Sequence, residues 1–340
     1  MKNILVTGNE GYIGCILTEK LLEKGYKVTG FDLGIFKDAA FIPKKNKPTR
    51  QIYKDIRDVE IADLREIDAI IHLAGLSNDP VGHLNPQLTN QINFEASVKL
   101  AKLAKSARIE KFLFSSSCSM YGISGQESVS ESSAFNPQTP YAKAKAMVEE
   151  EVSKLADDKF CPVFLRNSTV FGISPRMRLD LVVQNLSACG YLSGVITILS
   201  DGSPWRPLIH IDDLTEAFCF LLEFPKEKVN NQAFNIGKKE NNVQIKTVAE
   251  MVKSIIPNTS VEIKNENPGD ARSYKVDFSK IYALGFTPQF TVLDGIKEIY
   301  KTFKKINFTK EDFQSSNYIT LKKYQELMKN KQMDENLRLI

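Results

Sequence analysis

Ile4-Leu5-Val6-Thr7-Gly8-Asn9-Glu10-Gly11-Tyr12-Ile13-Gly14-Cys15 is the stretch that decides the fold, because an apolar, β-rich run passes through three glycines straight into an amphipathic segment over residues 13–24. Glycines at 8, 11 and 14 permit a tight turn, close approach of backbone to a diphosphate, and close packing of the next helix on the strand. The helix N-terminus then presents unsatisfied N–H groups and the positive end of its dipole to the anion. Working outward, residues 27–31, 69–73 and 111–115 read as further strands, and 86–106 and 141–155 as helices. Strands alternating with helices demand right-handed crossovers. The expectation is an α/β fold with a Rossmann-type doubly wound parallel sheet, covered on both faces.

After Arg166 the pattern loosens, with Pro175, Gly190, Gly202, Pro204, Pro207, Pro225 and Gly237 punctuating shorter helical stretches such as 212–223 and 246–256. We read residues 1–166 as a dinucleotide-binding domain to which some later elements return, and 167–303 as a smaller, mixed substrate domain. Residues 304–340, rich in Lys and Glu with scattered Leu, read as a solvated helix or frayed tail.

Composition narrows the function. The 340 residues, 42% hydrophobic and 25% charged, are enough for one large or two modest domains and exclude a disordered or collagen-like chain. A net charge of +4 is spread along the chain, so nucleic acid is not the expected partner. Five dispersed cysteines suit free thiols in a reducing compartment, and three histidines give a metal site little to draw on. The apolar run Ile4–Val6 is far too short for a signal peptide or membrane span, so a soluble cytoplasmic protein is expected.

Asp32 closes the second strand eighteen positions after Gly14, near the spacing of the acid that holds an adenosine ribose. A carboxylate there accepts bonds from both ribose hydroxyls and repels a 2′-phosphate, which favours NAD over NADP. Farther on, Tyr141 and Lys145 stand four apart on the helix that Pro140 opens, and so share a face. A phenol near pKa ~10 becomes a usable base when a close ammonium favours its anion. Tyr-x-x-x-Lys alone also describes an ordinary exposed helix face. Upstream, the strand at 111–114 runs out into Ser115-Ser116-Ser117, at the carboxyl end where such sheets bind ligands.

Gly8-x-x-Gly11-x-x-Gly14, Asp32, Asp55-Ile56-Arg57, His72-Leu73-Ala74-Gly75, Ser115-Ser116-Ser117 through Tyr121-Gly122, and Pro140-Tyr141 with Lys145 fall in a telling order and spacing. Their combination resembles the extended short-chain dehydrogenase/reductases. Within these it is similar to the NAD-dependent nucleotide-sugar epimerase/dehydratase group, to which UDP-galactose 4-epimerase belongs. The likeness runs to about Lys301. It implies Ser117, Tyr141 and Lys145 as the catalytic trio, with Asp55 and Ile56 against the adenine. Leu73, Ala74, Gly75 and Asn93 would line the cofactor path, and Tyr12, Ile13 and Ser115, with Tyr141 and Lys145 themselves, would also touch the NAD.

For the substrate, a nucleoside-diphosphate sugar, the resemblance points to Arg206 in Trp205-Arg206-Pro207-Leu208-Ile209-His210 and to Arg272 as diphosphate contacts, beside Ser117. Thr169 stands where the group has a substrate-binding Asn. Ser174-Pro175-Arg176-Met177-Arg178-Leu179-Asp180 resembles a branch acting on nucleotide-linked sugars, including GDP-heptoses, for surface polysaccharides. Arg176 and Arg178 would bind phosphate or base, or else fix the loop. Dehydratases of the group carry Asp-Glu directly after the Ser/Thr, where this chain has Cys118-Ser119, and a 3,5-epimerase would want Cys at 119. What remains is oxidation at a carbinol carbon, expected at C4. A 4-epimerase is favoured over a 4-dehydrogenase or 4-ketoreductase, with a non-catalytic NAD-binding regulator as the reading from another class. Relatives pair the helices at 86–106 and 141–155 between subunits, so a homodimer or larger homo-oligomer is expected.

Overall fold

The computed structural model describes residues 2–77, 85–124, 127–266 and 272–340. Strands β1 (Asn3–Thr7), β2 (Lys27–Asp32), β3 (Arg50–Tyr53), β4 (Ala69–His72), β5 (Lys111–Ser117) and β6 (Cys161–Asn167) come first in the chain. Then follow β7 (Thr169–Phe171), β8 (Val195–Ile198), β9 (Trp205–His210), β10 (Gln232–Ile236), β11 (Asn242–Gln244) and β12 (Ser260–Ile263). Seven of them form one sheet in the order β10-β6-β5-β4-β1-β2-β3, every neighbouring pair parallel. The order reverses at β1, so the carboxyl ends of β1 and β4 flank a crevice. A smaller mixed sheet joins β11, β9 and β7.

Period-two alternation decides which face each side chain covers. Ile4, Val6, Ala69, Ile71, Leu113, Val163 and Leu165 enter one hydrophobic cluster, while Leu5, Ile70, Phe112, Phe114 and Phe164 enter the other. Helix α1 (Tyr12–Glu23) and helix Ile211–Glu223 cover the first face through Leu17, Leu21, Leu214 and Phe218. Helix α2 (Ala96–Ser106) and helix α3 (Pro140–Ser153) cover the second, through Leu100, Ala104, Val148 and Val152. The helix expected over 86–106 is not uniform: Pro86–Thr89 passes through a π-helical stretch, Asn90–Glu95, before α2.

The strand ends are tied by polar side chains. Thr7 Oγ1 accepts from the Leu73 and Ala74 N–H groups, each at 3.2 Å, and lies 2.6 Å from His72 Nδ1. His72 Nε2 is 2.8 Å from Ser97 Oγ, and burial drives the imidazole down to about 3, so it stays neutral. This histidine anchors β4 to β1 and α2.

The C-terminal segment is not a solvated tail. Tyr324, Leu327, Met333 and Leu337 are buried in the second cluster. Arg57 donates to the carbonyls of Asn336 (2.8 Å) and Leu337 (3.3 Å), and Arg338 pairs with Asp58. Residues from Thr320 on are thereby strapped to the dinucleotide half. Among the described residues, no helix is long and apolar enough to cross a membrane, and no group of three His, Cys, Asp or Glu could hold a metal.

Candidate active site

At the nucleotide end, each glycine answers to a contact. Gly8 has φ +74°, and a Cβ there would come 2.8 Å from the Ala74 nitrogen. A Cβ on Gly14 would reach 2.1 Å from the Gly8 carbonyl, so only glycine lets α1 start this close to the turn. Gly11 caps α1 with extended backbone and no side-chain bond, leaving the first N–H groups facing the cavity. Asp32 Oδ2 accepts from the Glu10 N–H (3.1 Å) and Oδ1 from the Gly34 N–H (2.8 Å). Burial outweighs those two bonds and pushes its carboxyl up to about 6. Asp55 caps the next short helix. Burial alone would raise its carboxyl, but Arg57 at 2.6 Å holds it below the usual carboxylate range.

At the reactive end, Lys145 lies one turn after Tyr141, its Nζ 5.6 Å from the Tyr141 ring centre and 4.4 Å from that of Phe114. It donates to the Ser115 carbonyl at 2.6 Å. Burial, only partly offset by Glu149, lowers the ammonium to about 7. Ser117 Oγ is 2.8 Å from Ser119 Oγ and accepts from the Ser119 N–H at 3.2 Å. Ser115 Oγ accepts from Asn167 Nδ2 at 2.9 Å.

Under this surface runs a network that the sequence did not single out. Glu149 accepts from Ser116 Oγ at 2.5 Å and from both Nε and Nη2 of Arg166, the latter at 2.7 Å, all buried. Arg166 Nη1 donates to the Tyr121 hydroxyl (2.9 Å), which donates to Asn235 Oδ1 (2.7 Å). These bonds fix β5 to β6, β10 and α3 beneath Ser117. The available signal was helical spacing, since Tyr141, Lys145 and Glu149 form one i, i+4 stripe.

At the far end, Arg206 Nη1 donates to the carbonyls of Trp205 (3.0 Å) and Arg272. Two arginines 66 positions apart are thus side by side. Arg178 pairs with Asp180 at 3.0 Å and reaches the Ser77 carbonyl at 3.3 Å.

One cavity of about 520 Å³ collects these groups. Gly8, Gly11, Tyr12, Ile13, Gly14, Asp32, Asp55, Ile56, Leu73, Ala74 and Gly75 border it, as do Ser115, Ser117, Tyr141, Lys145, Thr169, Arg176, Arg178, Arg206 and Arg272. Asn93 is the exception. It is buried behind the wall, where its amide bonds both the N–H (2.7 Å) and the carbonyl (3.0 Å) of Leu76, so it shapes the 73–76 loop without lining the path. Tyr12 borders the cavity, but its hydroxyl is engaged, donating to the Gly172 carbonyl at 2.7 Å and accepting from Gln184. Arg176 sits among nucleotide-end residues, away from the sugar trio: its guanidinium lies over Phe36, and Nη2 donates to Thr320.

A model of the NAD dependent epimerase/dehydratase family matches residues 4–237. The chain belongs to that family. Curated family relatives include an uncharacterized UDP-glucose epimerase of Bacillus subtilis, 28% identical over 316 residues, covering 86% of this chain and 95% of the relative. The human dTDP-D-glucose 4,6-dehydratase is 26% identical over 329 residues, covering 89% and 90%. Among solved structures, the UDP-glucuronic acid 4-epimerase of Bacillus cereus, in complex with UDP-glucuronic acid and NAD, superposes with a TM-score of 0.77 at 26% identity, covering 89% of this chain and 99% of that one.

The residues present fit a dinucleotide. The glycine turn is tight because a Cβ at 8 or 14 would collide with the backbone of Ala74 or Gly8. The start of α1 beside it offers N–H donors, and Gly8, Gly11, Gly14 and the Asp32 carboxylate at the end of β2 border one cavity, where a diphosphate and a ribose diol would meet them.

Proposed function

We propose that this chain is an NAD-dependent nucleotide-sugar epimerase working at C4 of the sugar. The observation that carries the reading is the shared cavity, with the glycine turn and Asp32 at one end, Arg206 and Arg272 at the other, and Ser117, Tyr141 and Lys145 along it. NAD, when bound, supplies a hydride acceptor and, after the sugar has turned, the hydride donor. Tyr141 takes the proton of the reacting hydroxyl and later returns it, and Ser117 hydrogen-bonds the same oxygen. Lys145, poised near neutrality and anchored on the Ser115 carbonyl, favours the Tyr141 phenolate beside it. Arg206 and Arg272 grip the diphosphate with charge-assisted bonds while the sugar swings.

Elimination of water needs a carboxyl acid next to the serine. Cys118 instead buries its thiol against the Arg166 carbonyl, and Ser119 is engaged by Ser117. Among the described residues the cavity's carboxylates are Asp32 and Asp55 at the nucleotide end and Asp180 paired with Arg178. This favours epimerisation over dehydration. The test is incubation of purified protein with UDP-, GDP-, CDP- and dTDP-sugars, following NADH absorbance and product mass together. A new isomer of unchanged mass supports the epimerase. A product lighter by two hydrogens, with accumulating NADH, replaces it with a dehydrogenase, and loss of water replaces it with a dehydratase.

A further inference from the structure

We propose that Arg176 binds the diphosphate of the dinucleotide, adding a fixed side-chain charge to the backbone cradle at the start of α1. Ser174 Oγ donates to the Tyr12 carbonyl at 2.8 Å, and the Arg176 N–H donates to Cys15, so this segment runs along the first turn of α1. From there the side chain extends along the cavity wall, with its guanidinium carbon 3.8 Å from the ring centre of Phe36, four residues past Asp32.

Arg176 is only 2% exposed, yet among the described residues no carboxylate pairs with it. Its hydrogen bonds go to neutral oxygens, from Nη1 to the Met177 carbonyl at 3.2 Å and from Nη2 to Thr320 Oγ1 at 2.9 Å. Nε is buried and has no partner among the described residues. The nearby Asp180 is committed to Arg178, 3.0 Å away. A buried charge left in this state is costly unless something compensates it, and burial accordingly draws Arg176 down to about 9.

An Nε–H and its neighbouring Nη–H form the side-on fork that matches two oxygens of a phosphate. The anion in question is the cofactor's and not the sugar nucleotide's, because the side-chain partners of Arg176 among the described residues, besides its neighbour Met177, are Phe36 and Thr320, which border the cavity with Asp32. The inference rests on the NAD reading of the cavity.

The full-length chain, stripped of nucleotide, is titrated calorimetrically with NAD, ADP-ribose, adenosine, UDP and GDP. R176M, which keeps the length and removes the charge, should weaken NAD and ADP-ribose by ~10-fold or more, the scale of one charge-assisted bond. Adenosine, UDP and GDP should stay within about twofold, and the salt dependence of NAD binding should flatten. R176K should recover part of the loss. If R176M does not fold, R176K carries the same comparison, with a smaller split between ADP-ribose and adenosine. An equal loss for adenosine and ADP-ribose, an unchanged NAD affinity, or a loss confined to UDP or GDP overturns the inference. A wild-type chain that binds neither NAD nor ADP-ribose overturns the cofactor reading as well, a result distinct from tight wild-type binding that R176M leaves unchanged.

Discussion

Replacing Lys145 by Met tests the electrostatics of the trio most directly. Lys145 is 5% exposed, and burial, against a smaller opposing pull from Glu149, brings it from an ordinary 10.5 to about 7. Below pH 7 both the folded and unfolded chains hold the proton, and the folded state bears the whole cost of burying it. Above 10.5 neither holds it and the cost is gone. Between these limits the unfolded chain binds more protons, so stability rises with pH on account of this group. At ~1.36 kcal/mol per unit, the cost is about 5 kcal/mol near pH 6 and about 2 kcal/mol near pH 9. Lys145→Met removes the whole pH-dependent part while filling a similar volume. It also forfeits the bond to the Ser115 carbonyl, a nearly constant deduction of about 1.5–3 kcal/mol. Thermal unfolding of nucleotide-free wild type and variant at pH 6, 7.5 and 9 reads the difference. The variant should fare best relative to wild type at pH 6, by about 3 kcal/mol more than at pH 9, while its turnover falls at least ~100-fold. A stability difference that stays constant from pH 6 to 9 would refute the burial argument.

Tyr141→Phe should cut turnover by ~100-fold or more with NAD binding retained, and near-normal turnover removes Tyr141 from the mechanism. Arg206→Ala and Arg272→Ala should each raise KM by ~10-fold or more without disturbing NAD affinity, since a diphosphate grip acts alike in ground and transition states. Mutants that lose melting temperature yet keep KM would make both arginines structural. NAD should bind much more tightly than NADP at pH 8, and because the Asp32 carboxyl titrates near 6 and is needed ionised, NAD affinity should drop by ~10-fold at pH 5. Calorimetry showing equal affinities for the two nucleotides, or a flat pH profile, would contradict the role given to Asp32.

The parts of this molecule that could be read from its sequence are those where one local rule dominates. Gly11 and Gly14 are dictated by close approach to the Gly8 carbonyl within a single turn, and Tyr141 with Lys145 by one helical repeat. The alternation of side chains along β1, β4 and β5 between the two clusters follows from the period of a strand. Residues placed by distant partners were opaque. Arg176 and Arg178 stand two apart and read alike, yet one faces Asp180 and the other Phe36 and Thr320, 144 positions away. Asn93 carried the family's pattern, but the π-helical stretch around it aims its amide at Leu76. The segment beyond residue 304 misled most. Its apolar residues are sparse, and only docking on Arg57 and the second cluster makes Tyr324 and Leu337 interior.

That strap also sets an order of events during synthesis. The Arg57 contact spans 279 positions, so at ~5–20 residues per second the wall formed by Thr320, Tyr324 and Leu337 is translated about 15–60 s after the turn it encloses. Until then the nascent chain presents a dinucleotide cradle open along one side, with part of the second hydrophobic cluster bare where Tyr324 and Leu327 will settle. Capture of the nucleotide with full affinity therefore belongs to a chain translated past Leu337, and a ribosome stalled before residue 320 holds a protein whose sheet is already complete but whose cofactor site is not.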